Sequence, residues 1–436
     1  MTSGVTFRLQ AGGRLKGDIR VPGDKSISHR SIMLGSVAQG RSAVTGFLDG
    51  EDCLATVAAF RAMGVSIARP DATSVVIDGV GLRGLRPPSG PMDMGNSGTG
   101  MRLLTGVLAG QPFDSTLVGD ASLSRRPMRR VTEPLTQMGA LIETSAQGTP
   151  PLHVRGGRIL EGRRHELAIA SAQVKSAILL AGLWAAGETS VVEPAPTRDH
   201  TERMLQAFGA EVRRSGSESA IQAAPRLEGI PIDVPADLSS AAFFLVGAAI
   251  APGSDLVLRH VGINPTRTGV IEILRRMGAT IEILEPREVG AEPVADLRVR
   301  YSELKGIEIP RNLVPLAIDE FPAVFIAAAC AEGETLLTGA EELRVKESDR
   351  IQVMADGLKS LGVECEVLPD GIRIAGSGGF TGGSVDSHGD HRIAMAFAMA
   401  ALRARSAILI HDCDNVATSF PGFAELAQSC GLDITA

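Results

Sequence analysis

The chain has 436 residues, of which 44% are hydrophobic and 21% charged, enough for two or three packed domains of roughly 100–200 residues each. Its net charge of -7 and its 3% aromatic content exclude a basic, base-stacking surface, so no nucleic-acid partner is expected. Five cysteines without a CxxC, no leader-like start in MTSGVTFRLQ, and no apolar run near the roughly 20 residues of a membrane span point to a reduced, cytoplasmic protein.

In chain order, six apolar helices are predicted, over 26–38, 97–109, 171–186, 238–250, 320–331 and 391–402. Each opens after a small or polar segment. Several are apolar almost all round, the pattern of a helix buried on every side. A second series alternates with them: Met63-Gly64-Val65, Met138-Gly139-Ala140, Phe208-Gly209-Ala210, Met277-Gly278-Ala279, Leu361-Gly362-Val363 and Cys430-Gly431-Leu432. Each copy ends an amphipathic stretch, clearest at 199–210 and 266–279. The glycine suits a helix C′ position, where positive φ costs least, and a β-like run follows, as at 279–284. The two series in register define six repeats, each read as strand, buried helix, strand, surface helix, strand, strand. Three buried helices ringed by sheets form one α/β body, and two such bodies account for the length. Their helix N-termini are expected to gather at one end, where partial positive charge and free N–H groups attract anions.

The helix starts carry the polar chemistry. The first holds Lys25, Ser26 and Arg30: a mobile point charge, a small donor and a fork for phosphate or carboxylate. The second, Gly95 to Arg102, is glycine-rich, which lets a backbone approach a ligand, but its spacing is neither a P-loop nor a dinucleotide fingerprint. Four arginines between Ser124 and Val131 follow it, at the anion end. The third start, Ser171 to Lys175, and Thr197-Arg198-Asp199-His200 offer hydroxyl and amide groups to a polyol. The fourth, Asp237-Leu238-Ser239-Ser240, has no cation and reads as a cap at a domain junction. At the fifth, Asp319 and Glu347 suit an acid/base pair beside Lys346 and Arg350, whose charges would hold the two pKa values apart. At the sixth, His388-Gly389-Asp390-His391-Arg392 hints at a metal. The surrounding Lys and Arg, and the lack of further ligands at metal spacing, favour Arg392 as an anion ligand and no metal.

Read in order, GDKSISHR, GNSGTGMR, SRRPM, SAQVKSA, TRDHTE, IDEFP, LRVKESDR, GDHRIAM and TSFPGF resemble the EPSP synthase family over nearly the whole chain, and look closer to its second class. The resemblance implies two domains, each an inside-out α/β barrel of three βαβαββ repeats. The chain would cross between them near Pro22 and Pro235-Ala236, so that residues 1–22 join 236–436 and residues 23–235 form the other domain. It implies transfer of the enolpyruvyl group of phosphoenolpyruvate to the 5-hydroxyl of shikimate 3-phosphate, through a tetrahedral intermediate, with no cofactor. Lys25, Ser26, Arg30, Ser171, Gln173, Arg198, Asp319 and Lys346 would bind shikimate 3-phosphate. Lys25, Gly98, Arg126, Gln173, Arg350 and Arg392 would bind phosphoenolpyruvate, with glyphosate competing there. Asp319 would take the hydroxyl proton, and Glu347, with Lys25, would protonate the methylene carbon. The family suggests a monomer whose domains close over its substrates.

Two positions depart from the family pattern. Thr418-Ser419 stands before Phe420-Pro421 where many members have a lysine, and Glu342 stands where many have asparagine. The sister enzyme that acts on UDP-N-acetylglucosamine uses a loop cysteine, but Asp120 to Arg126 contains none. A non-catalytic anion- or RNA-binding module is opposed by the acidic charge and scarce aromatics.

Overall fold

The computed structural model describes residues 4–436. The chain divides into two compact units. The N-terminal unit comprises Gly23–Val234 with Val289–Glu292. The C-terminal unit comprises the described chain up to Pro22, Pro235–Glu288 and Pro293–Ala436.

Six α-helices lie in the N-terminal unit: α1 (Lys25–Val37), α2 (Glu51–Ala62), α3 (Gly98–Ala109), α4 (Arg129–Gln137), α5 (Ala172–Gly182) and α6 (His200–Ala207). Six lie in the other: α7 (Leu238–Ile250), α8 (Gly269–Arg276), α9 (Phe321–Cys330), α10 (Arg350–Ser360), α11 (His391–Ala400) and α12 (Phe423–Cys430). The odd-numbered helices are the apolar series, and every residue of α7 is buried. Each fully buried Leu, Ile or Phe there contributes about 1.5–3 kcal/mol. Helices α7, α9 and α11 pack on one another, and α3 packs on α5. Small residues set the spacing: a Cβ on Gly106 of α3 would lie 2.2 Å from the Ala177 carbonyl oxygen of α5.

Six small sheets, three per unit, surround these helices. In five of them one edge strand pairs parallel with its neighbour, and the remaining pairs are antiparallel. A parallel pair needs a crossover connection, and in three of these sheets (at α3, α5 and α11) the buried helix supplies it. In the remaining sheet, the parallel bridges Lys305 to Glu332 and Glu308 to Leu336 take the place of a full strand. Two opening strands are exchanged. Lys16–Ile19 precedes α1 in sequence but pairs with Asp255–Gly262, which follows α7. Pro231–Asp233 precedes α7 but pairs with Gln39–Thr45, which follows α1. The N-terminal strand Phe7–Leu9 sits between Ile408–His411 and Ile434–Thr435 and completes the last repeat's sheet.

All six glycines of the tripeptide series have positive φ, from 84° at Gly362 to 115° at Gly431. In each copy the next residue's N–H bonds the carbonyl five residues back, as from Val65 to Phe60 and from Leu432 to Ala427. That is a Schellman cap, and the residue making the bond is a buried apolar one. The repeat visible in the sequence is therefore a helix stop. A Cβ on Gly209 would meet nothing within 4 Å, so Gly209→Ala isolates the conformational term. It is expected to destabilise the protein by about 1–2 kcal/mol, read as a lower urea midpoint with an unchanged slope.

Candidate active site

In the N-terminal unit the starts of α1, α3 and α5 are tied together by side chains. The Asp24 carboxylate caps α1, accepting from the Ile27 N–H at 2.8 Å. Lys25 forms an ion pair with Asp52 in the first turn of α2. Next to it, His29 is buried and accepts or donates at 2.8 Å with Thr56 Oγ1. Burial, then the charges of Lys25 and Arg30, push its pKa well below the usual histidine range, so it is neutral. Arg30 is also buried. Its Nε donates to Thr201 Oγ1 at 2.6 Å, Nη1 to the Ser26 carbonyl at 2.9 Å and Nη2 to Ser176 Oγ at 2.8 Å.

Ser97 caps α3, accepting from the Gly100 N–H at 3.1 Å. A Cβ on Gly98 would lie 3.0 Å from Arg126 Nη1 and 3.2 Å from Arg102 Nη1, so two guanidinium groups flank the glycine. Arg126 donates to Asn96 Oδ1 at 2.6 Å and is buried, whereas Arg125, Arg129 and Arg130 are exposed. Of the arginine run, only Arg126 turns inward. Ser171 caps α5. The Gln173 amide accepts from Arg102 Nη1 at 2.6 Å and donates to Thr99 Oγ1 at 2.8 Å. Gln173 and Ser176 are three residues apart on one helix face, so α5 links the Gly98–Arg102–Arg126 group to Arg30. Half-buried Arg198 precedes α6, and its charge reaches Arg30.

In the C-terminal unit the fifth and sixth starts form one cluster. Asp319 Oδ1 lies 3.6 Å from Lys346 Nζ and 3.3 Å from Arg350 Nη1. Arg350 Nη2 lies 2.6 Å from Glu347 Oε2, and Nε lies 2.9 Å from Asp390 Oδ2. Arg392 Nη1 donates to the Asp319 carbonyl at 3.2 Å. Asp390 also caps α11 through the Arg392 N–H at 3.0 Å and accepts from Ser348 Oγ at 3.0 Å. Arg350 is 1% exposed. Burial works against its charge, but the Asp390, Glu347 and Asp319 carboxylates outweigh it and raise its pKa further.

One expectation needs correction. The fourth helix start does carry a cation: Arg267 Nη2 lies 3.1 Å from Asp237 Oδ1 and 2.8 Å from Ser239 Oγ, close to Glu320. It comes from the loop before α8, well downstream of the helix it serves, so the local pattern does not reveal it. Sequence reasoning also passed over Asp52 and gave Arg102 and Asp390 no role in an anion site. Arg102 stands four residues after Gly98, on the same helix face, and Asp390 occupies an N-cap position. Those two signals were present; nothing marked Asp52.

One departure is buried and the other half-buried. Thr418 is buried and donates to the Asn415 carbonyl at 2.7 Å, and Glu342 is half-buried in the turn Glu341–Val345. Among the described residues no group of three or more His, Cys, Asp or Glu has the arrangement to hold a metal ion. No described helix is long and apolar enough to cross a membrane.

A family model for EPSP synthase (3-phosphoshikimate 1-carboxyvinyltransferase) matches residues 9–426. The chain belongs to the EPSP synthase family. It is 68% identical over 430 residues to the 3-phosphoshikimate 1-carboxyvinyltransferase of Methylococcus capsulatus, covering 99% of this chain and 98% of that one. The enzyme of the same name from Alkalilimnicola ehrlichii is 66% identical, at 99% and 97% coverage. The EPSP synthase structure from Acinetobacter baumannii is 58% identical, covers 99% of both chains and superimposes with a TM-score of 0.89. The enolpyruvyl transferase NikO from Streptomyces tendae, 18% identical with a TM-score of 0.80 over 99% of each chain, shares the fold. The units, each with three buried helices and three sheets, are thus the two inside-out α/β barrels of this family.

Proposed function

We propose that this EPSP synthase family member transfers the enolpyruvyl group of phosphoenolpyruvate to the 5-hydroxyl of shikimate 3-phosphate and releases phosphate. The observation that carries the mechanism is the pair of carboxylates, Asp319 and Glu347, held on one buried arginine at 3.3 and 2.6 Å. Two acids kept apart by shared cations can take different protonation roles. Glu347, assisted by Lys25, donates a proton to the methylene carbon of phosphoenolpyruvate. Cationic character develops at C2, the 5-oxygen attacks it, and Asp319 takes the hydroxyl proton. The tetrahedral ketal phosphate then expels phosphate, and the methyl carbon returns a proton to restore the double bond. No step calls for a redox or carrier group.

Lys25, Ser26, Arg30, Ser171, Gln173, Arg198, Asp319 and Lys346 bind shikimate 3-phosphate in this reading. Lys25, Gly98, Arg126, Gln173, Arg350 and Arg392 bind phosphoenolpyruvate, and glyphosate competes with it. Two phosphates and two carboxylates require many fixed cations, whose field is strongest where water is excluded. The protein acts as a cytoplasmic monomer. Burial pushes the Cys330 and Cys413 thiols up to about 12 and Cys430 up to about 11, so these three are poor nucleophiles at neutral pH.

The test is phosphate release by purified protein. Release is expected only when both substrates are present, and release from phosphoenolpyruvate alone would contradict the reading. Arg126→Ala is expected to raise KM for phosphoenolpyruvate at least about tenfold, the size of one lost charge-assisted hydrogen bond. An unchanged KM would remove Arg126 from the pocket.

A further inference from the structure

The first turn of α6, His200-Thr201-Glu202, is polar, yet all three residues are buried. It belongs to the TRDHTE motif, of which the proposed function uses only Arg198. His200 donates Nδ1–H to Glu292 Oε1 at 2.7 Å, since an ionised carboxylate only accepts. Glu202 Oε1 lies 2.8 Å from the buried Lys175 ammonium. Between them, Thr201 Oγ1 accepts from Arg30 Nε at 2.6 Å and donates to Ser176 Oγ at 2.7 Å. Ser176 Oγ also accepts from Arg30 Nη2 at 2.8 Å.

The Nε/Nη2 edge of an arginine is the edge that grips a carboxylate with two parallel bonds. Here two hydroxyl oxygens stand where a carboxylate would. The third acceptor, the Ser26 carbonyl, is neutral as well. Arg350 is the contrast within the same chain: it is just as buried, but its guanidinium rests on three carboxylates. Burial, and the charge of Arg198, push the Arg30 pKa down to about 10, against the pull of Glu202, Asp24 and Glu292. Arg30 therefore stays charged at neutral pH, while the groups that touch it leave that charge uncancelled. With no carboxylate in direct contact, such a charge keeps much of its pull on a ligand anion in a dry site. Three of its five N–H groups are used, which leaves one on each Nη for an anion.

We propose that Thr201 and Ser176 are positioning residues for the phosphorylated substrate. They orient Arg30 through neutral acceptors and so keep its charge available to an anionic group of that substrate. The proposal rests on the reading that Arg30 binds shikimate 3-phosphate. The buried pairs on either side, His200–Glu292 and Glu202–Lys175, hold the α6 turn that presents Thr201.

The experiment is steady-state kinetics of Thr201→Val, Ser176→Ala, Thr201→Ser and Arg30→Lys, with melting temperatures measured alongside. Thr201→Val and Ser176→Ala are each expected to raise KM for shikimate 3-phosphate about tenfold, the size of one hydrogen bond to a charged group. Their kcat and KM for phosphoenolpyruvate should stay within about twofold. Thr201→Ser, which restores the hydroxyl, should return KM to the parent value. A purely structural role would instead lower the melting temperature and the active fraction, and leave KM unmoved. If Thr201→Val does not fold, Ser176→Ala reads the same clamp from α5. The proposal is overturned if the hydroxyl-deleted variants keep the parent KM while Arg30→Lys raises it. If Arg30→Lys also keeps the parent KM, the assignment of Arg30 to the substrate fails, and the positioning role fails with it.

Discussion

Asp319→Asn is expected to lower kcat about a thousandfold, within the 10²–10⁴ range of a positioned general base, with a smaller change in either KM. The substitution keeps the volume and one hydrogen-bond acceptor but removes the group that takes the hydroxyl proton. Its Oδ1 also lies 3.6 Å from Lys346 Nζ and 3.3 Å from Arg350 Nη1. The neighbouring cations therefore lose a partner, and a modest fall in melting temperature should accompany the kinetic loss. A variant with full kcat would show that the 5-hydroxyl loses its proton elsewhere.

Arg350→Met is expected to cost about 3–5 kcal/mol of stability, the usual result of stripping one side from a buried ionic cluster. The side chain is 1% exposed and stands between Asp390, Glu347 and Asp319. Methionine fills much of the space but removes the cation that Asp390, Glu347 and Asp319 share. Asp390 then also loses its hold on the start of α11, which it caps through the Arg392 N–H. Thermal unfolding should report a fall of roughly 10 °C. A fall of only a degree or two would mean that the carboxylates relax to water at little cost.

The parts of the fold legible in the sequence were those with a local cause. A Gly that must adopt positive φ after a helix, followed by an apolar residue that closes the cap, leaves a three-residue signature, and it recurs at all six predicted places. The buried helices were legible because an all-round apolar face has one physical use; α7 matches its predicted range residue for residue. The exchange of Lys16–Ile19 and Pro231–Asp233 between sheets leaves no local trace, because strand pairing depends on chain segments some two hundred residues apart. The site divides in the same way. Lys25, Arg30, Arg350 and Arg392 stand at helix starts, where an anion site is expected on electrostatic grounds alone. Arg267 reaches its helix from a distant loop. Thr201 and Ser176 are hydroxyls on different helices whose meeting at Arg30 only the packing reveals.

The most direct measurement is the reaction run in deuterium oxide, with the product examined by proton NMR and mass spectrometry. Addition followed by elimination passes through a freely rotating methyl group formed with one solvent proton. Deuterium is therefore expected in the vinyl methylene of the enolpyruvyl product, and in its amount only when both substrates are present. A product made at full rate with an unlabelled methylene would mean that C3 is never protonated, and the assignment of Glu347 and Asp319 as an acid/base pair would fall.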